Sequence, residues 1–188
     1  MSQPPDATSY VADLNDTRRE KDEFFARSPH SPMPREQRGS GFLGLSYFPP
    51  DLAYRVAARV EPIEPPEMVR LATSTGEPRA MVRFARLRFQ IAGVELALTG
   101  FAQPNEYEPD ELFIPFQDAT SGQATYGAGR YLDVALERDG DATTALLDFN
   151  LAYNPYCAYS PSYSCPVPPR ENRLSAPINA GERAPEDH

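Results

Sequence analysis

Hydrophobic positions repeat along this chain with two different periods, and the change between them divides it. From residue 9 to 27 the apolar residues are Tyr10, Val11, Leu14, Phe24 and Phe25, with a charged run, T-R-R-E-K-D-E, between them. That spacing predicts one amphipathic helix with a solvated middle. Ser28-Pro29 ends it, because the residue before a proline is pushed out of helical geometry. Residues 28 to 41 read as a connector with one possible turn of helix after Pro34.

Beyond Phe42 the period falls to two. Tyr54, Val56, Ala58 and Val60 alternate with Arg55, Ala57 and Arg59, the pattern of a half-buried strand. Residues 68 to 74 repeat it less clearly. Ala92-Gly93 predicts a two-residue turn that sets Phe89 against Leu96 and Leu87 against Leu98 on one face. The other face then carries Gln90 opposite Glu95 and Arg88 opposite Ala97. A second hairpin is expected to turn at Asp139-Gly140, pairing Leu132 with Leu147 and Val134 with Ala145. A one-residue slip there buries Asp148 against Leu132, so the apolar pattern selects the faces. Between the hairpins, Leu112 to Phe116 is a short apolar strand.

Seven or eight strands, one leading helix and no alternation of helix with strand predict a mainly β fold. The expected form is an antiparallel sandwich or partly closed barrel, followed from Ala152 by an irregular, proline-rich segment. The expected organisation is residues 1–41 as helix and connector, 42–182 as one β domain, and 183–188 as a disordered acidic tail.

Composition narrows the function. With 188 residues a single domain can bury its own core. Twenty-one prolines shorten helices and stiffen loops. A formal net charge of -9 argues against nucleic acid and anionic membranes as partners. The first residues form no basic-then-apolar leader, and no segment approaches the roughly 18 apolar residues of a membrane span. A soluble, cytoplasmic protein is the expectation. Of 18 basic residues only Lys21 is a lysine, which fits either arginine-rich codon usage or a salt-adapted surface.

Candidate chemistry concentrates between Asp148 and Asn172. Histidine occurs only at His30 and His188, so a Ser-His-Asp triad or a histidine metal site has little to draw on. Cys157 and Cys165 admit three readings: buried structural thiols, a disulfide closing a small loop, or metal ligands completed by carboxylates. No motif names a cofactor, and no residue is assigned to a metal. Asp148 and Asn150, two residues apart, share a strand face. Asp118 is placed to cap the turn that follows it. Glu171, after Pro168-Pro169, is held in an extended presentation. In T-S-G-Q-A-T-Y-G-A-G-R-Y, backbone N–H groups and Arg130 can meet an anion, or the stretch is only a loop before a strand.

These motifs also carry a resemblance. F-I-P-F-Q-D-A-T-S-G-Q-A-T-Y-G-A-G-R-Y-L, L-D-F-N-L-A-Y-N-P-Y-C-A-Y, S-C-P-V-P-P-R-E-N-R-L and I-N-A-G-E, with F-L-G-L-S-Y-F-P-P before them, resemble the bacterial and archaeal family catalogued as domain of unknown function 1684. The likeness runs from Phe42 to Glu182. Many members are longer, some as predicted lipoproteins, and the chain looks like a compact form. The resemblance implies no activity, only positions: Asp118, Thr120, Thr125, Tyr126, Arg130, Asp148, Asn150, Asn154, Cys157, Cys165, Glu171 and Asn172.

Two functions follow as expectations. In the first, a β domain binds a small molecule, with hydrolysis as its candidate reaction. Arg130 meets an anionic group, Asp148 or Glu171 acts as acid and base, and Tyr126, Asn150, Asn154 and Asn172 position the ligand. In the second, a non-catalytic structural or interaction domain, the same side chains tie the C-terminal segment across the sheet. Mutually satisfied polar groups favour the second, and unpaired ones in a concave pocket favour the first.

Overall fold

Each strand keeps one face apolar, and the strands close on themselves around that face. The computed structural model describes residues 6–139 and 142–185. Helix α1 (Ala7–Arg27) precedes strands β1 (Arg55–Leu71), β2 (Arg79–Ile91), β3 (Val94–Ala102), β4 (Glu111–Phe116), β5 (Arg130–Asp139) and β6 (Ala142–Asp148). Neighbours in sequence pair antiparallel, and β1 also pairs with β6, so the sheet is a closed barrel. Its inside is a packed core rather than a lumen. Leu87, Leu98, Leu112, Ile114, Leu132 and Leu147 are all at most 1% exposed.

The first hairpin has the predicted register, Phe89 opposite Leu96 and Leu87 opposite Leu98. Ala92 and Gly93 both take left-handed backbone (φ 50° and 78°), as the two central residues of a type I′ turn must. The second hairpin differs from expectation. Asp139 pairs with Ala142 and Leu136 with Ala145, so the ladder takes in the first residue of the expected turn, whose Gly140 lies outside the described residues. The displacement is two residues, which leaves each side chain on its predicted face.

One further expectation is corrected. The strands read at 54–61 and 68–74 are one, β1, whose pairing with β2 shifts register between Pro62 and Glu67. Pro62, Pro65 and Pro66 have no N–H to offer a ladder, so the irregularity sits where they do. Six strands result among the described residues. At the C-terminus, the Arg183 N–H reaches Ser46 O at 2.9 Å and the Ala184 N–H reaches Ala124 O at 3.0 Å. Residues 186–188 of the expected tail lie outside the described residues.

Helix α1 is capped by the Asp6 carboxylate, which accepts from the Thr8 and Ser9 N–H groups. It lies on the C-terminal segment rather than apart from it. Phe25 meets Tyr159 edge to face with centroids 4.9 Å apart. No helix among the described residues is long and apolar enough to cross a membrane.

Candidate functional site

The polar residues singled out by the sequence fall into separate groups. Arg130 starts β5 on the inward face, as its alternation with Leu132 and Val134 requires, and its side chain is wholly buried. Its guanidinium meets Asp118 Oδ2 at 2.9 Å, Ile178 O at 2.9 Å, Glu182 O at 3.1 Å, and Ala180 O. Burial lowers its pKa, with the Asp118 carboxylate opposing that loss. Asp118 also caps its own turn, accepting from Thr120 N at 2.8 Å. Arg130 is thus a clamp on three alternate carbonyls of the last segment. The glycine-rich loop before it turns its N–H groups inward as well: those of Gln123, Ala124 and Thr125 all bond Thr120 O.

Asp148 ends β6 and Asn150 lies in the 3-10 turn that follows, so they do not share a strand face as expected, but the Asn150 amide reaches Asp148 Oδ1 at 3.1 Å beside the start of β1. Both Asp148 oxygens lie 2.9 Å from the Tyr10 hydroxyl, and Arg55 Nε stands 3.4 Å away. Asn150 accepts from Asp51 N and donates to Asp51 O, pinning the segment that enters β1. Glu171 is elsewhere. It pairs at 2.7 Å with Arg83, which also holds Glu67 near the far end of β1. Asp148 lies opposite Arg55 and Arg83 lies opposite Glu67, twelve residues further on. That is roughly 40 Å of extended chain, so the two carboxylates do not face one cavity.

Asn172, the neighbour of Glu171, points inward. Strands β3 and β4 pair only at Phe101 and Phe113, a register that carries Thr99 opposite Pro115. Proline has no N–H with which to complete that rung. The Asn172 amide fills the gap: it accepts from Thr99 N at 2.7 Å and donates to Thr99 O at 2.9 Å and Pro115 O at 2.8 Å.

A further centre joins Asn154, one of the expected ligand-positioning residues, to residues that sequence reasoning left aside. Glu182 is 1% exposed and pairs with Lys21 of α1. It also accepts from Asn154 N at 2.7 Å and from the Tyr159 hydroxyl at 3.1 Å. Tyr47 bridges to Glu182 through the backbone. The available signals were two: Lys21 is the lone lysine, and Glu182 closes I-N-A-G-E. Among the described residues, four buried side-chain polar atoms have no partner: Arg18 Nε, Tyr47 Oη, Arg130 Nε and Asn154 Oδ1.

Lys21 also lines a cleft of about 540 Å³ on the outside of the barrel, together with Arg79, Phe113, Tyr131, Tyr153, Tyr156, Tyr163 and Cys165. Its aromatic walls are fixed. Tyr131 stands edge to face with Phe113 at 4.7 Å and with Tyr153 at 5.8 Å. The Tyr131 hydroxyl donates to Pro166 O at 2.5 Å and that of Tyr153 to Asp133 at 2.7 Å. Burial raises the pKa of both. The Lys21 ammonium sits 4.9 Å above the Tyr153 ring. Arg79 gives Ser164 O one long hydrogen bond, 3.4 Å, from a group with five donors.

Burial raises the Tyr126 pKa, and the groups that act on it are Cys157 and Cys165 rather than Arg130. Cys157 and Cys165 are both free thiols. Among the described residues no three His, Cys, Asp or Glu side chains are placed to hold a metal.

With these contacts in view, comparison with known proteins gives a family and no activity. The solution NMR structure of the uncharacterized protein from gene locus rrnAC0354 of Haloarcula marismortui is similar at 43% identity and a TM-score of 0.74, over 97% of this chain and 98% of that one. No curated protein matches. The model of the family described as Protein of unknown function (DUF1684) matches residues 40–183, from the connector through the Lys21-bound Glu182, and the chain belongs to that family.

Proposed function

We propose that this protein is a non-catalytic small-molecule-binding barrel, and that its ligand lies in the tyrosine-lined cleft rather than among Arg130, Asp148 and Glu171. The cleft itself carries the reading. Its volume falls within the roughly 300–1,000 Å³ of ligand sites, and its aromatic walls are already held by hydrogen bonds. Ring faces and edges suit a planar, ring-bearing ligand. Arg79 suits an anionic group on it, because the Lys21 ammonium is already neutralised by Glu182.

8-Anilinonaphthalene-1-sulfonate, a ring-bearing anion, is a direct probe. Calorimetry is expected to find one saturable site, weakened about tenfold by Tyr156→Ala or Arg79→Ala, the loss of roughly 1.4 kcal/mol. Asp148→Asn combined with Glu171→Gln is expected to leave the affinity unchanged. Absence of saturable binding, or binding indifferent to Tyr156→Ala, contradicts the assignment. One observation favours a structural or interaction domain instead: Asp118, Arg130, Asp148, Asn150 and Asn172 all bond to groups of the protein itself. Under that reading no ring-bearing anion binds.

A further inference from the structure

Cys157 and Cys165 stand at the two ends of the loop that builds one wall of the cleft. Tyr156 immediately precedes the first cysteine and Tyr163 shortly precedes the second, and their rings meet edge to face at 5.2 Å. Between the ends, the Cys157 N–H donates to Cys165 Sγ at 3.3 Å. The Cys165 sulfur thus sits against the backbone of Cys157, and the two thiols are neighbours. Cys165 lines the cleft and is anchored to the barrel, its N–H bonding Ser74 Oγ at 3.1 Å and its carbonyl accepting from Ser74 N at 2.9 Å. The chain has only these two cysteines, and the fold brings them together.

We propose that Cys157 and Cys165 form a reversible dithiol–disulfide couple, oxidised by low-molecular-weight disulfides, that locks the Tyr156–Tyr163 wall of the cleft. Cys165, facing the cleft, attacks one sulfur of the small disulfide as its thiolate and releases one small thiol. Cys157 then attacks the Cys165 sulfur of that mixed disulfide and releases the second. Two electrons and two protons pass from the protein to the small disulfide, and one S–S bond replaces another. Burial raises the Cys157 pKa, so its thiolate is scarce at neutral pH and the second step is slow there.

The test uses the whole reduced chain, exposed to excess glutathione disulfide, quenched in acid, then unfolded with N-ethylmaleimide and weighed. The expected product lacks two hydrogens, takes up no maleimide and melts on the order of 5 °C higher. Its rate of closure is expected to rise close to tenfold per pH unit from pH 7 to 9. Cys157→Ser is expected to stop at one glutathione adduct. Two adducts per chain, disulfide-linked dimers, or two maleimides after the same exposure overturn the proposal. The inference builds on the cleft described above, yet mass reads the thiols alone, so its failure is separable from a failure of the cleft to bind 8-anilinonaphthalene-1-sulfonate.

Discussion

At Asn172 one side chain stands in for a rung of the sheet. Pro115 has no N–H to offer Thr99 O, and the amide satisfies both strands at once. Asn172→Ala leaves three buried backbone groups without partners and is expected to cost about 3 kcal/mol in denaturant unfolding. Asn172→Asp keeps the acceptor and loses both donors, so most of that cost is expected to persist. The Arg130–Asp118 pair is fully buried, and Arg130→Met strands the carboxylate; a loss of roughly 3–5 kcal/mol is expected, partly restored by adding Asp118→Leu. Alternation alone placed Arg130 on the apolar face, and turn chemistry gave Asp118 its capping role. The part played by Asn172 was not legible, because it depends on a proline in another strand. The separation of Asp148 from Glu171 was hidden for the same reason: the fold, not their 23-residue spacing, sets their distance.

Among the elements, those governed by neighbours in sequence were legible and those joined across the chain were not. The β2–β3 hairpin follows from matching apolar residues about two turn positions, and α1 from its spacing and Ser28-Pro29. Ala92 takes a left-handed conformation better suited to glycine or asparagine. Ala92→Gly is therefore expected to stabilise the protein by about 1 kcal/mol, read as a higher denaturant midpoint. The continuity of β1 through its prolines was missed because proline usually interrupts a ladder. The docking of α1 was missed because Lys21 and Glu182 are 161 positions apart. Lys21→Met leaves a buried carboxylate unpaired. We expect a loss of about 3 kcal/mol and faster amide exchange along α1 than in the barrel strands.

For the whole molecule, buried tyrosines set an alkaline limit. Burial raises the pKa of Tyr47, Tyr131, Tyr153 and Tyr159 above their ordinary value near 10. Below that pH both folded and unfolded chains hold these protons, and the stability is fully present. Above it the unfolded chain releases them first, so stability falls as pH rises toward the folded values, by about 1.4 kcal/mol per pH unit for each such group. Melting temperature measured from pH 8 to 11 is expected to be flat at first and then to drop steeply from about pH 10; no drop contradicts the burial of these hydroxyls. The closed β architecture was within reach of the sequence, but the cleft was not, since it joins α1, β2, β4, β5 and the C-terminal loop. The decisive measurement is an amide NMR titration with 8-anilinonaphthalene-1-sulfonate. The account predicts shifts confined to Arg79, Phe113, Tyr131, Tyr153, Tyr156 and Tyr163 and their neighbours. Shifts centred on Arg130 and Asp148, or none at all, contradict it.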